Sequence, residues 1–221
     1  GLRHAVLPPG PRGGRLSVRE RLGWTRPGEV VVLHAGNMGA KQGLENVVDA
    51  ALFAEQHQLP LRFVLLGDGN QRAALEKRAK GCSTIEFVAP LPGHSFMDAL
   101  AAADVLLVNE RPSLRDAALP SKLTSYFVTG RPVLAATDSG STTADEIRAS
   151  RAGRVVSPIE PEALARAALS IAREWTADDA KAGPAHVERA LSQTAGVAQF
   201  ESLLRDAATK ERDFAGRERV R

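Results

Sequence analysis

The chain has 221 residues, 43% of them hydrophobic and 25% charged, with a net charge of only +3. This composition excludes a disordered or fibrous chain, and the length suffices to bury a core without covalent staples. A lone cysteine, Cys82, excludes an intrachain disulfide and a cysteine metal cluster and fits a reducing compartment, while every apolar run is shorter than the roughly 18 residues that span a bilayer.

The first 29 residues are rich in Gly, Pro and Arg and read as an arm or linker. One short helix fits within it, capped by Ser17 and stopped by Gly23. Within the first 26 residues Arg3, Arg12, Arg15, Arg19, Arg21 and Arg26 face one acid, Glu20, and the end of the chain is also highly charged. Such ends either meet phosphates or anionic lipid or are plain solvated termini. From Val30 the pattern alternates. Strands are predicted at 30–35, 61–66, 84–88, 105–108, 132–135 and 153–156, and helices at 43–57, 70–80, 95–102, 121–129, 143–150 and 161–174. The strands are short and apolar almost throughout, as strands buried on both faces are. Six β-α units in succession predict an α/β fold, a Rossmann-like doubly wound parallel sheet of about six strands. Residues 30–175 form this domain. From 176 to 221 come C-terminal helices and a charged tail, with Val187, Leu191, Val197, Phe200, Leu203 and Leu204 at helical spacing.

In such a sheet ligands bind where strand C-terminal ends meet loops. Four loops qualify. "GNMGAKQG" offers Gly36 and Gly39 for close backbone approach to a diphosphate and Lys41 as a cation, yet it also reads as a plain strand-to-helix turn. Gly67-Asp68-Gly69 opens the next helix, with Asp68 a candidate cap. The loop after Val88 has a backbone suited to the edge of a base. In "LPSKLTSYFVTGRPV", Ser121 and Lys122 begin a helix, an anion-friendly pairing, although Lys122 also reads as an ordinary solvated residue.

Taken together, "HAGNMGAKQGLENVVDAA", "RFVLLGDG", "FVAPLPGHSFMDALAAADVLLV", "LPSKLTSYFVTGRPVLA" and "AGRVVSPIEPEALARAAL" resemble the C-terminal, donor-binding half of GT-B-fold retaining glycosyltransferases of family four. The nearest subgroup carries a PSKL…GRPV signature and serves bacterial capsule, colanic-acid-like and O-antigen polysaccharides. The resemblance implies a UDP- or GDP-sugar as donor, with no cofactor and no metal. Lys41 and Lys122 become the catalytic cations. Gly36, Asn37 and Gly39 lie against the diphosphate and sugar, and Gly67, Asp68 and Gly69 near the nucleotide. Val88, Ala89 and Leu91 hold the base, Ser121 and Leu123 meet phosphate, and Ser125 holds a ribose hydroxyl.

Two departures stand out. Many family members carry two glutamates, separated by seven residues, where this chain has Ala117 and Ser125. They also carry an Arg and a Lys where this chain has Asn37 and Gln42, so the cation sits one residue early, at Lys41. The resemblance further implies an N-terminal acceptor-binding lobe as partner and a lipid-linked acceptor at the membrane surface. The setting would be cytoplasmic or peripheral at the inner membrane face, with no role for nucleic acid. The expectation is an isolated lobe, a fragment or a split subunit, that binds donor without transferring sugar. The alternatives are a catalytically silent nucleotide-binding scaffold and the lobe of a UDP-sugar epimerase.

Overall fold

The computed structural model describes residues 14–112 and 122–191. Six strands, β1 (Val30–Ala35), β2 (Leu61–Leu66), β3 (Ile85–Val88), β4 (Val105–Asn109), β5 (Val133–Ala136) and β6 (Gly153–Val156), form one sheet in the order β3-β2-β1-β4-β5-β6. Every neighbouring pair is parallel. This is the doubly wound α/β fold that the alternation predicted.

The pleat explains why the strands read as unbroken apolar runs. Alternate residues Val32, Phe63, Leu65, Val105, Leu107 and Leu134 face one core, closed by α2 (Glu45–Gln56) and α7 (Pro161–Glu174). Val31, Leu33, Val64, Leu66, Leu106 and Val108 face the other, closed by α1 (Gly14–Leu22), α4 (Gly93–Ala102), α5 (Lys122–Phe127) and α6 (Thr142–Ser150). The remaining helix of the β-α series, α3 (Arg72–Arg78), follows β2, and α8 (Ala182–His186) packs beside α5 and α6.

Three local expectations change. The helix within the arm starts at Gly14, so Ser17 lies inside it. Gly23, at φ +72°, does end it. Residues 14–29 are also more than an arm, because Val18 and Trp24 are buried in the second core and α1 packs on α4. Asp68 does not cap α3. That helix begins four residues later behind Gln71, and the Asp68 carboxylate instead accepts from the Gly69 N–H at 2.8 Å. Ser141, by contrast, caps α6 by accepting from Ala144 N–H at 3.0 Å. The stripe at Val197, Phe200, Leu203 and Leu204 lies outside the described residues, as do Ala117 and Ser121.

Candidate functional site

The strand order reverses between β1 and β4, and a doubly wound sheet opens its crevice beyond the C-terminal ends of those two strands. Helix α5 is fixed there by one side chain. Buried Tyr126 accepts from Ala35 N–H at 2.9 Å and donates to Ala35 C=O at 3.2 Å, at the last residue of β1. Burial pushes its phenol pKa upward. Leu123 and Phe127 lie in the core below. This anchorage brings the start of α5 over the loop that leaves β1. A methyl group on Gly36 would lie 3.4 Å from Lys122 Nζ.

The glycines of the next loop close the floor. Gly67 has φ +142°, and a Cβ on it would meet Gly36 C=O at 1.9 Å. A Cβ on Gly69 would lie 2.5 Å from Asn37 Oδ1. The two loops are stitched together by Met38 N–H to Asp68 C=O at 2.8 Å and Gln71 N–H to Met38 C=O at 3.0 Å, with the Met38 side chain fully buried. Glycine is thus required at these positions by backbone packed on backbone.

Charge at this edge is arranged in depth. Lys122 is half-buried, and desolvation brings its pKa down to about 8 against the opposing pull of Glu110. Glu110 follows β4 and is itself buried. It accepts from Thr137 Oγ1 at 2.5 Å and from Thr143 Oγ1 at 2.7 Å. His34, near the end of β1, is fully buried, and neither ring nitrogen has a hydrogen-bond partner. Its pKa is held well below the ordinary value, first by burial and then by Lys122, although the Asn37 and Leu107 backbone favours the charged form. It is a neutral imidazole below the crevice.

Beside it, Asn109 Nδ2 donates to Gln42 C=O at 2.7 Å and Gly43 C=O at 2.9 Å, and Asn46 Nδ2 donates to Asn109 Oδ1 at 2.9 Å. Among the described residues, the buried side-chain atoms without a partner are Trp24 Nε1, His34 Nδ1 and Nε2, Gln42 Oε1 and Asn46 Oδ1. All but the first belong to the end of β1, the 3₁₀ turn that follows it or the start of α2. Buried polar atoms are otherwise paired, so this concentration marks a place with unused bonding capacity.

The residues expected from the sequence divide accordingly. Gly36, Asn37, Gly39, Gly67, Gly69 and Lys122 converge on the crevice. Asp68 is exposed at its lip. Lys41 is exposed on the 3₁₀ turn Ala40–Gln42, tied in through its carbonyl, which accepts from Arg111 N–H at 2.9 Å. Of the base-binding loop, Val88 C=O is engaged by Gly67 N–H at 2.9 Å, Ala89 is exposed, and Leu91 packs at the rim of the core. Ser125 is half-buried on α5. Sequence reasoning passed over Glu110, His34 and Asn109. The available signal was polar residues at the ends of apolar strands, "VVVLHA" and "VLLVNE". An open groove of about 620 Å³ lies further along the sheet, beside β6, lined by Thr137, Asp138, Ser139, Arg148, Arg154 and Pro158. It includes neither glycine loop nor Lys122, so we place the site at the β1–β4 crevice. Among the described residues no cluster of three or more His, Cys, Asp or Glu could hold a metal, and no helix is long and apolar enough to cross a membrane.

The crevice at the switch point is walled by glycines and carries the half-buried Lys122, and comparison with known proteins gives the family of the chain. The family model described as Glycosyl transferases group 1 matches residues 29–174. The chain belongs to that family. WcaI of Escherichia coli, named as a colanic acid biosynthesis glycosyl transferase, is 40% identical over 103 residues, which are 45% of this chain and 25% of WcaI. The structure of Anabaena HepE with UDP-glucose superposes with a TM-score of 0.68 at 18% identity, covering 87% of this chain and 52% of HepE. The C-terminal domain of the Francisella tularensis group 1 protein LpcC gives 0.61 at 16% identity, covering 83% of this chain and 96% of that domain. The group 1 match therefore carries the GT-B architecture with it, while the chain covers only about half of HepE and a quarter of WcaI.

Proposed function

We propose that this chain is the nucleotide-sugar-binding lobe of a retaining glycosyltransferase acting in bacterial cell-surface polysaccharide or glycolipid synthesis. The observation that carries the reading is Lys122 Nζ beside Gly36, on the first of two interlocked glycine loops at the switch point. The donor is a UDP- or GDP-sugar, a class supported by the UDP-glucose bound to HepE. Lys122 takes the diphosphate against Gly36. Lys41, exposed on the neighbouring turn, reaches toward the β-phosphate and the sugar. As the bond from the anomeric carbon to the diphosphate oxygen breaks, the charge developing on that oxygen is met by these cations. Fixed cations of this kind need no reorganisation during reaction. The acceptor, a lipid-linked or polysaccharide intermediate, is held by a second lobe across the cleft. Its hydroxyl proton leaves with the diphosphate. Orientation accounts for up to roughly 7–11 kcal/mol of such a barrier, so this lobe alone binds donor without transferring sugar.

Calorimetry against UDP, GDP, ADP and their sugars tests the reading. Lys122→Ala is expected to weaken nucleoside diphosphates by about 1.5–3 kcal/mol. Lys41→Ala is expected to act more on the intact nucleotide sugar than on the monophosphate. Equal affinity of parent and Lys122→Ala for every nucleotide would remove the site from this crevice. A second reading, a silent nucleotide-binding scaffold, is favoured by the absence of carboxylates at Ala117 and Ser125. Donor turnover by this lobe joined to an acceptor lobe would exclude it.

A further inference from the structure

One buried carboxylate at the crevice has no part in the reading above. Glu110 follows β4, with its backbone N–H on Ala136 C=O at 2.9 Å. Its two oxygens accept from two hydroxyls, Thr137 at 2.5 Å and Thr143 at 2.7 Å. Thr137 has one proton, and that proton points at Glu110. The contact between Thr137 Oγ1 and Ser141 Oγ, at 2.9 Å, is therefore a donation by Ser141. Ser141 Oγ in turn accepts from Ala144 N–H at 3.0 Å, the cap of α6. The chain of donors runs in one direction, from the first turn of α6 through Ser141 and Thr137 to the carboxylate. Each link polarises the next toward a negative terminus.

Such a network fixes an anion where it is buried, and the sheet decides what lies nearby. β1 and β4 are neighbours, so the residue after β4 and the loop after β1 share the same crevice. Lys122 lies over that loop. We infer that Glu110 is a positioning residue, held by the hydroxyl chain of β5 and α6, that keeps the Lys122 ammonium charged over Gly36 and so ready for the donor diphosphate.

This inference rests on the donor-binding reading. Among the described residues one titratable group acts on Lys122, and a second, His34, is acted on by it. Glu110 favours its charged form, and His34 on β1 stays neutral under burial and the lysine's own field. The hydroxyls that hold Glu110, from Thr137 after β5, Ser141 at the cap of α6 and Thr143 within it, carry no charge. Burial alone discharges a lysine, and a carboxylate beside it opposes that loss. Glu110 also repels phosphate, so its value to the site lies in the pH range over which the lysine stays protonated.

The test is made on the full chain. The Lys122 ammonium is titrated by NMR without nucleotide, in the parent and in Glu110→Gln, with UDP and GDP affinities measured from pH 6.5 to 9. The parent midpoint is expected near 8. In Glu110→Gln it falls by about one pH unit, and the ratio of UDP affinity at pH 6.5 to that at pH 9 grows about sevenfold. Direct repulsion between Glu110 and phosphate cancels in that ratio, and Glu110→Asp restores the parent profile. An unchanged lysine midpoint overturns the inference, and so does a lowered midpoint with an unchanged binding profile. If Glu110→Gln does not fold, Thr137→Val serves in its place, because it frees the carboxylate from the hydroxyl that fixes it and the lysine midpoint must then fall; an unchanged lysine midpoint overturns the inference. A parent that binds neither nucleotide removes the donor reading and this role with it, while the ligand-free titration still reports whether the two charges are coupled.

Discussion

The two ends of the sheet both carry buried charge, and they treat it in opposite ways. At the N-terminal edge, Asp104 lies just before β4 and is surrounded. Arg15 and Arg19 of α1 both pair with it, and it also accepts from Val31 N–H at 2.8 Å. The same arginines donate to the Ala102 and Ala103 carbonyls, and Arg131 donates to Ala101 C=O at 3.1 Å. These contacts supply donors to the last turn of α4, where helix carbonyls would otherwise be unmet. At the C-terminal edge, Lys122 is partly desolvated, His34 has no partner, and Gln42 and Asn46 each leave a buried oxygen unmet. One edge closes its network on itself and the other leaves capacity for something to complete. On the proposed reading, the contrast separates charge that holds the fold from charge kept for a ligand.

Substitutions can break this contrast from either side. The largest effects should come from Asp104→Asn and Gly67→Ala. Removing the Asp104 charge leaves Arg15 and Arg19 facing Arg131 with no anion between them, a loss of about 3 kcal/mol in urea unfolding. Nucleotide affinity of the folded fraction should be unchanged. A matching loss of affinity would show that the two edges are not independent. Gly67→Ala drives a methyl into Gly36 C=O, which belongs to the backbone and cannot rotate away. The expected cost is on the order of 3 kcal/mol, and here donor binding should fail as well, because the floor of the crevice moves. Retention of parent affinity would place the ligand elsewhere.

Lys122→Met should separate stability from function. The lysine's pKa falls from 10.5 unfolded to about 8 folded. Between those values the unfolded chain binds more protons, so this group makes stability rise with pH there. Below about 8 the full cost of burying the ammonium is present. The methionine should therefore stabilise the domain at pH 7 by about 1–2 kcal/mol, less than full linkage because the side chain is only half-buried, with the gain fading between pH 8 and 10.5. Nucleotide binding should be lost over the same range in which stability is gained. Unfolding midpoints measured at pH 7 and pH 10 check the sign.

His34→Phe should have the smallest effect. Its folded pKa lies well below 6.5, so the unfolded state takes up a proton first as pH falls below that value. Stability is full above 6.5 and is lost toward the folded pKa. The phenylalanine should flatten that decline, by about 1 kcal/mol between pH 7 and 5.5. A parent whose stability is level over this range would contradict a buried neutral imidazole.

Much of this was legible in the chain, and the limits are physical. The strand at 30–35 is apolar at every position but His34, and it was found at its observed bounds because burial on both faces allows little else. The glycines at 36, 67 and 69 were legible as approach points, since a residue without Cβ at a strand end signals close contact. What each approaches was not. Gly67 meets Gly36 C=O and Gly36 meets Lys122, and these partners are 31 and 86 residues away by their numbers. Asp68 looked like a helix cap because Asp-Gly before a helical stretch commonly is one. The loop takes two more residues to interlock with Met38, and the helix starts late. Glu110 gave little signal. One glutamate after a strand reads as exposed, and only Thr137 and Thr143, from the next β-α unit, make its burial tolerable.

The sequence by itself determined the parallel α/β layering, the position of each strand and the loops worth inspecting, because side-chain periodicity and glycine placement are local properties. It also carried the family, since the motifs occur in order along the chain. The tertiary structure alone decided which polar groups share a space. Strand order sets β1 beside β4, the Tyr126 hydroxyl holds α5 on Ala35, and desolvation then acts on Lys122 and His34 through neighbours remote in the chain. Proton affinity depends on distance and burial in three dimensions, so the charge state of this crevice is a property of the fold.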